Sequence, residues 1–132
     1  MCIRDRTSEV AKEKYNPGKK PNSEPENQAL VNWVNNNPDT AFIYTLHSWE
    51  PILNTNGNCD KVVKPIAEAT GYKVSPSIGY PTPGCLGTFT GLEKNMPTLT
   101  YEIQRDIEPG LIQSLHVPAI LKSLKVCEEI YS

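Results

Sequence analysis

The chain is 132 residues long, enough for one domain with a modest core, and its formal net charge of -2 offers no basic field to attract nucleic acid or an anionic membrane. No run approaches the roughly 18 apolar residues of a membrane span, and the start lacks the charged-then-apolar order of a secretory signal. Polyanion binding is thereby disfavoured and no segment reads as a membrane span, while compartment and oligomeric state stay open.

The first six residues, Met1 to Arg6, have no continuity with the rest of the chain and look like a sequence-assembly scar, so residues 1–6 are read as a non-native leader and 7–132 as the body of the domain. Without Cys2, the cysteines are Cys59, Cys85 and Cys127, an odd set with no CxxC or CxH spacing. Neither a disulfide framework nor a zinc knuckle is indicated. Next comes the polar loop "KYNPGKKPNSEPE". Ser23 with Glu26 forms a capping-box pattern, Pro25 is tolerated in a first turn, and a helix is predicted from about Glu24 to Asn36, burying Ala29, Leu30, Trp33 and Val34.

After "NNNPD", the stretch from Thr40 to Leu46 is short and uniformly apolar, which predicts a strand covered on both faces and ending at His47. "WEPILNTNGNCDKVV" reads as a loop with an Asn56-Gly57 turn, and a helix is predicted after it from about Asp60 to Thr70, closed by Gly71. The Pro- and Gly-rich "YKVSPSIGYPTPGCLGTFTG" reads as a rim loop. "MPTLTYEIQRD" alternates as a strand, with Leu99, Tyr101 and Ile103 on one face and Thr98, Thr100 and Glu102 on the other. A last helix is predicted from about Pro109 to Glu129, kinked at Pro118. The order helix, strand, helix, strand, helix argues an α/β layered fold.

In open α/β sheets, ligands gather beyond the carboxyl ends of strands, where His47 and Glu102 both fall. A lone strand-end histidine is more often structural than a ligand. A carboxylate on a buried-looking strand costs several kcal/mol of hydration unless paired, so Glu102 points to function or to a partner such as Arg105. Tyr80 taken alone is an ordinary loop aromatic.

In combination, "NPGKKPNSEPENQALVNWV", "YTLHSW", "GYPTPGCLGTFTG" and "PTLTYEI" resemble, in order and spacing, the C-terminal part of the zinc carboxypeptidases. The bacterial branch that trims murein peptides at the γ-D-glutamyl-diaminopimelate bond is the most similar. The resemblance implies a partial three-layer α/β/α domain with a mostly parallel or mixed sheet, truncated at the N-terminus. It further implies one Zn2+ ion with His47 as the third ligand, Glu102 as the catalytic glutamate, and Ser48, Tyr80 and Gly84 in contact with a peptide or murein-peptide substrate. In that family a zinc-bound water is the nucleophile, the glutamate moves its proton, and a loop tyrosine closes over the substrate.

The family takes its first two zinc ligands from an HxxE motif far upstream of the strand-end histidine, and that upstream HxxE is missing from this chain. The "NRN"-type segment that holds the substrate carboxylate is also missing. His116, inside the last helix, matches nothing and reads as a surface or satisfied structural histidine. The chain is therefore expected to be the C-terminal portion of a zinc peptidase, inactive and poorly stable on its own. The alternative is a non-catalytic module that holds a peptide or murein fragment through Tyr80, Ser48 and the Pro-rich loop. A serine hydrolase using Ser48 and His47 is disfavoured, because adjacent strand residues face opposite sides and no GxSxG elbow is present.

Overall fold

The computed structural model describes residues 22–80, 82 and 84–132; the leader and the start of the body, residues 1–21, lie outside the described residues. Helix α1 spans Pro25–Asn36. Proline occupies its first turn as predicted, and Glu24 takes the cap position. The capping box does not form: the Ser23 hydroxyl donates to the Glu24 carboxylate at 2.8 Å, and the Gln28 side chain bonds the Ser23 carbonyl at 3.1 Å. The buried stripe is also rotated from the expected one, with Asn27 and Val34 inside and Trp33 49% exposed.

Strand β1 is Ile43–Trp49, β2 is Ile52–Asn56, α2 is Asp60–Thr70, β3 is Lys73–Ser75 and β4 is Thr98–Gln104. They form a mixed four-stranded sheet in the order β1-β4-β2-β3, with β1 parallel to β4, β2 antiparallel to β4, and β3 parallel to β2. β4 thus sits between two strands that are neighbours in sequence. Only Glu50 and Pro51 carry the chain from β1 to β2, past the end of β4. That gap is about 10 Å, twice the strand spacing, and three residue steps of about 3.8 Å just cover it.

β1 differs from the predicted strand because it lies at the edge of the described sheet. Its second half is exposed, Leu46 by 58%, rather than covered on both faces. β2 replaces the loop expected there: its Asn-Thr-Asn run has low strand propensity and no apolar alternation, yet Leu53 to Asn56 are buried between β4 and β3.

The alternation of β4 holds. Leu99, Tyr101 and Ile103 pack with Leu53, Cys59, Val63, Ile66 and Ala119 against helices on one face. Val34, Phe89 and Met96 form a second cluster, joined by Val31, Ile43 and Leu86. Burial pushes the Cys59 thiol up to about 11, so it remains a protonated structural group bonded to the Asn56 and Thr98 carbonyls.

Two wide helical turns interrupt the expected pattern. The rim loop is in part a packed element: a π-turn, Thr88–Glu93, buries Phe89, Thr90 and Gly91. The last helical stretch begins with one α-turn, Pro109–Leu111, widens into a π-turn, Ile112–His116, and continues as α3, Val117–Tyr131. Pro118, expected to kink a single helix, sits in the first turn of α3 directly after the π-turn, and the helical stretch is interrupted by that widened turn ahead of the proline. No described helix is long and apolar enough to cross a membrane.

The first π-turn lies directly on β2. A Cβ at Gly91 would come within 2.4 Å of both the Asn56 Cβ and its carbonyl oxygen, while one at Gly87 would meet the far end of that side chain, Oδ1 at 2.4 Å and Cγ at 3.3 Å, and leave its backbone clear. Gly91→Ala is therefore expected to cost about 2–3 kcal/mol in urea unfolding. Gly87→Ala should cost less, and only Gly87→Ala should couple favourably with Asn56→Ala in a double-mutant cycle, by about 1 kcal/mol.

Candidate functional site

The parallel register sets His47 opposite Glu102, and the antiparallel register sets Ile52 against the other side of Glu102. Partners in register share a face, so the histidine and glutamate stand side by side, each two residues before the carboxyl end of its strand, because β1 runs on past His47 to Trp49. The same face carries Thr45, Asn54, Asn56, Thr98 and Thr100. It is a polar sheet face, and most of it is satisfied internally. Thr45 donates to the Leu99 carbonyl and to the Thr100 hydroxyl, both at 3.2 Å, Asn54 donates to the Ser75 carbonyl at 3.0 Å, and the Thr90 and Thr98 hydroxyls meet at 2.6 Å.

Two groups on this face are exceptions: Asn56 Oδ1 and the Glu102 carboxylate. The Glu102 Oε2 is buried without a hydrogen-bond partner. Burial raises the proton affinity of the carboxyl above the ordinary range, and the neighbouring His47 opposes that rise. The Arg105 pairing that the sequence leaves open is not formed: among the described residues, the recorded ion pair joins Lys64 to Glu68 across a helical turn. Glu102 is thus a half-sheltered carboxylate with an open lone pair beside an exposed imidazole.

The other predicted residues are placed less closely. Ser48 is exposed, and strand alternation puts it on the face of its register partner Ile103, away from His47 and Glu102. Tyr80 is 55% exposed at the end of a turn braced by serines, where Ser75 bonds the Ser77 carbonyl and the Ser77 hydroxyl accepts the Gly79 N–H. Gly84 is buried at φ +74°, a left-handed conformation that favours glycine. Cys85 and Thr88 bond each other at 3.2 Å and Thr88 bonds the Thr82 carbonyl, which ties the rim loop into the π-turn. Asn54 and Asn56, buried on the site's own face, escape sequence reasoning because nothing local marks their segment as a strand.

As a string, His47-Ser48-Trp49-Glu50 fits H-x-x-E, but it does not fold as a ligand pair. Positions three apart on a strand face opposite sides, and Glu50 lies exposed beyond the end of β1. Among the described residues, no three His, Cys, Asp or Glu side chains are grouped so as to hold a metal ion. At this site the described residues offer one imidazole, His47, and one adjacent carboxylate, Glu102, short of the three protein ligands a catalytic zinc takes.

No known family profile matches the chain, and no curated protein matches it. Among solved structures, its fold is similar to that of murein-tripeptide amidase MpaA from Escherichia coli O157, with a TM-score of 0.63 at 24% sequence identity over 81% of this chain and 44% of that one. The chain therefore spans less than half the length of that protein, and what the two share is the α/β fold.

Because Glu102 holds its proton more tightly in the folded chain than in the unfolded one, its ionisation costs stability. That cost is absent well below the ordinary value of 4.5, grows as pH rises, and is complete above the raised folded value. Glu102→Gln is expected to unfold with the parent below about pH 4 and to exceed it near pH 7 by about 1 kcal/mol, the scale of one unpartnered buried acceptor, in urea titrations at both pH values.

Proposed function

We propose that this chain supplies one wall of a peptide-amide hydrolase site of the murein-peptide type. Glu102 is the proton acceptor and donor, and His47 is one ligand of a catalytic zinc whose other ligands come from outside the described residues. The observation that carries this reading is the in-register pair of His47 and Glu102, with a buried carboxylate oxygen left open at the sheet edge. The fold shared with a murein-tripeptide amidase supports it.

A carboxyl with raised proton affinity is suited to take a proton from an attacking water and hand it to a leaving amine. Tyr80 and Gly84, from the rim loop, are assigned to the substrate; Ser48, on the opposite face of β1 from His47 and Glu102, is left out of that assignment. Exposed Tyr80 can close over a bound peptide, and the glycine conformation at Gly84 lets backbone approach it.

Backbone-resolved NMR titration of the chain with Zn2+, and then with a γ-D-glutamyl-diaminopimelate peptide, tests the assignment. Expected are weak zinc binding that moves the His47 signals, at least about tenfold loss of zinc affinity in His47→Ala, peptide-induced shifts at Tyr80, Gly84 and Glu102, and no hydrolysis. Hydrolysis by the chain alone would overturn the assignment of missing ligands. Peptide binding unaffected by zinc and by His47→Ala would favour the non-catalytic binding module instead.

A further inference from the structure

His116 is one of the chain's two histidines and, on sequence alone, a bystander. The π-turn that precedes Pro118 turns it inward, and only 1% of it is exposed. Its Nδ1 lies 2.5 Å from the Tyr101 hydroxyl, and its ring centroid is 5.7 Å from that of Tyr101 and 5.5 Å from that of Tyr72. The two tyrosines meet edge to face at 6.0 Å. The other ring nitrogen, Nε2, is buried with no hydrogen-bond partner.

This cluster grips the strand that carries Glu102 from both sides. Tyr101 precedes Glu102 in β4 and is fully buried, and the Tyr72 hydroxyl accepts the backbone N–H of Gln104, two residues beyond it. We propose that His116 is a proton-operated latch: neutral, it fastens the π-turn and α3 to β4 beside Glu102, and protonated, it leaves the cluster and loosens that strand.

The physical reason is the lack of anything to meet a positive charge. The titratable groups facing the ring are Tyr101 from β4 and Tyr72 from the segment after α2, and both are neutral in the acid range. α2 presents Asp60, Lys61, Lys64 and Glu68 to solvent, β3 presents Lys73, and α3 presents Lys122, Lys125, Glu128 and Glu129. In the imidazolium, Nε2–H would be buried without an acceptor, and Nδ1–H could donate only to the neutral Tyr101 hydroxyl. Burial alone accordingly lowers the proton affinity of His116. The latch is fully closed above the ordinary histidine value of 6.5, and its contribution is lost as pH falls from there toward the lower folded value, by up to about tenfold in the folding constant per pH unit. Glu102 acts in the opposite sense, since its cost to stability shrinks on acidification, so the two are separable by sign. The latch does not depend on the peptidase reading.

The test is an NMR pH titration of the full chain from about pH 7.5 to 4.5, following the His116 ring protons together with the backbone amides of Glu102 and Gln104, paired with urea unfolding at each pH and repeated in Glu102→Gln, which removes that carboxyl's own titration from the amide signals. The His47 ring signals are identified by their loss in His47→Gln. Expected is a His116 midpoint below that of an unfolded histidine, the same midpoint at the Glu102 and Gln104 amides, and an acid loss of stability that is absent in His116→Phe. A His116 that titrates as in an unfolded chain, or amides of Glu102 and Gln104 that do not follow it, would overturn the latch. The parent titration alone decides the matter if His116→Phe does not fold.

Discussion

The pairing of β1 with β4 is the constraint on which the rest depends. Parallel strands pair in a register that local turns cannot set, because the partners lie far apart in sequence, and here Ile43 meets Thr98 and His47 meets Glu102. A slip of one residue would send His47 and Glu102 to opposite faces. The register is held against slipping by unlike faces. One side of β4 buries Leu99 and Tyr101 completely in an apolar cluster, while the other keeps Thr98 and Thr100 in hydroxyl contacts with Thr90 and Thr45. Exchanging those faces would bury hydroxyls among aliphatic side chains and strand their hydrogen bonds.

The position of β4 between β1 and β2 has a further consequence. The link through Glu50 and Pro51 is nearly taut, so the ends of β1 and β2 are held to either side of the point where β4 leaves the sheet. Trp49 contributes to this closure, its carbonyl accepting the Arg105 N–H at 2.9 Å. Behind the sheet, Ser123 of α3 meets the Tyr44 hydroxyl and donates to the Val62 carbonyl, which joins β1, α2 and α3 through one buried side chain. Glu102 is carried on the best-anchored strand of the sheet and His47 on an edge strand. The carboxylate is set in rigid structure and the imidazole stands in the open.

Both departures from regular helix are π-turns, and both bring the chain close to the site's framework. The turn at Thr88–Glu93 rests on Asn56 because Gly87 and Gly91 have no Cβ, and this fixes the inner end of the rim loop over the polar face. The turn at Ile112–His116 absorbs the disruption ahead of Pro118 and seats His116 against Tyr101. In each case an extra residue per turn redirects side chains that a regular helix would have pointed elsewhere.

Much of this was readable from residue order. The breakers around α2 and its Gly71 cap, the alternation of β4 and the placement of His47 and Glu102 toward the carboxyl ends of their strands rest on patterns spanning a few residues, and the four ordered motifs carried the resemblance to a peptidase fold. The strand status of Ile52–Asn56 was not readable, since Asn-Thr-Asn becomes a strand only when β4 and β3 flank it. Nor was the exposure of β1, the rotated stripe of α1, or the burial of His116. Local periodicity determined which residues alternate and where elements begin. Which strand lies beside which, which face is covered, and which histidine is sheltered were decided by contacts between residues distant in sequence, where the free energy of pairing and burial outweighs local preference.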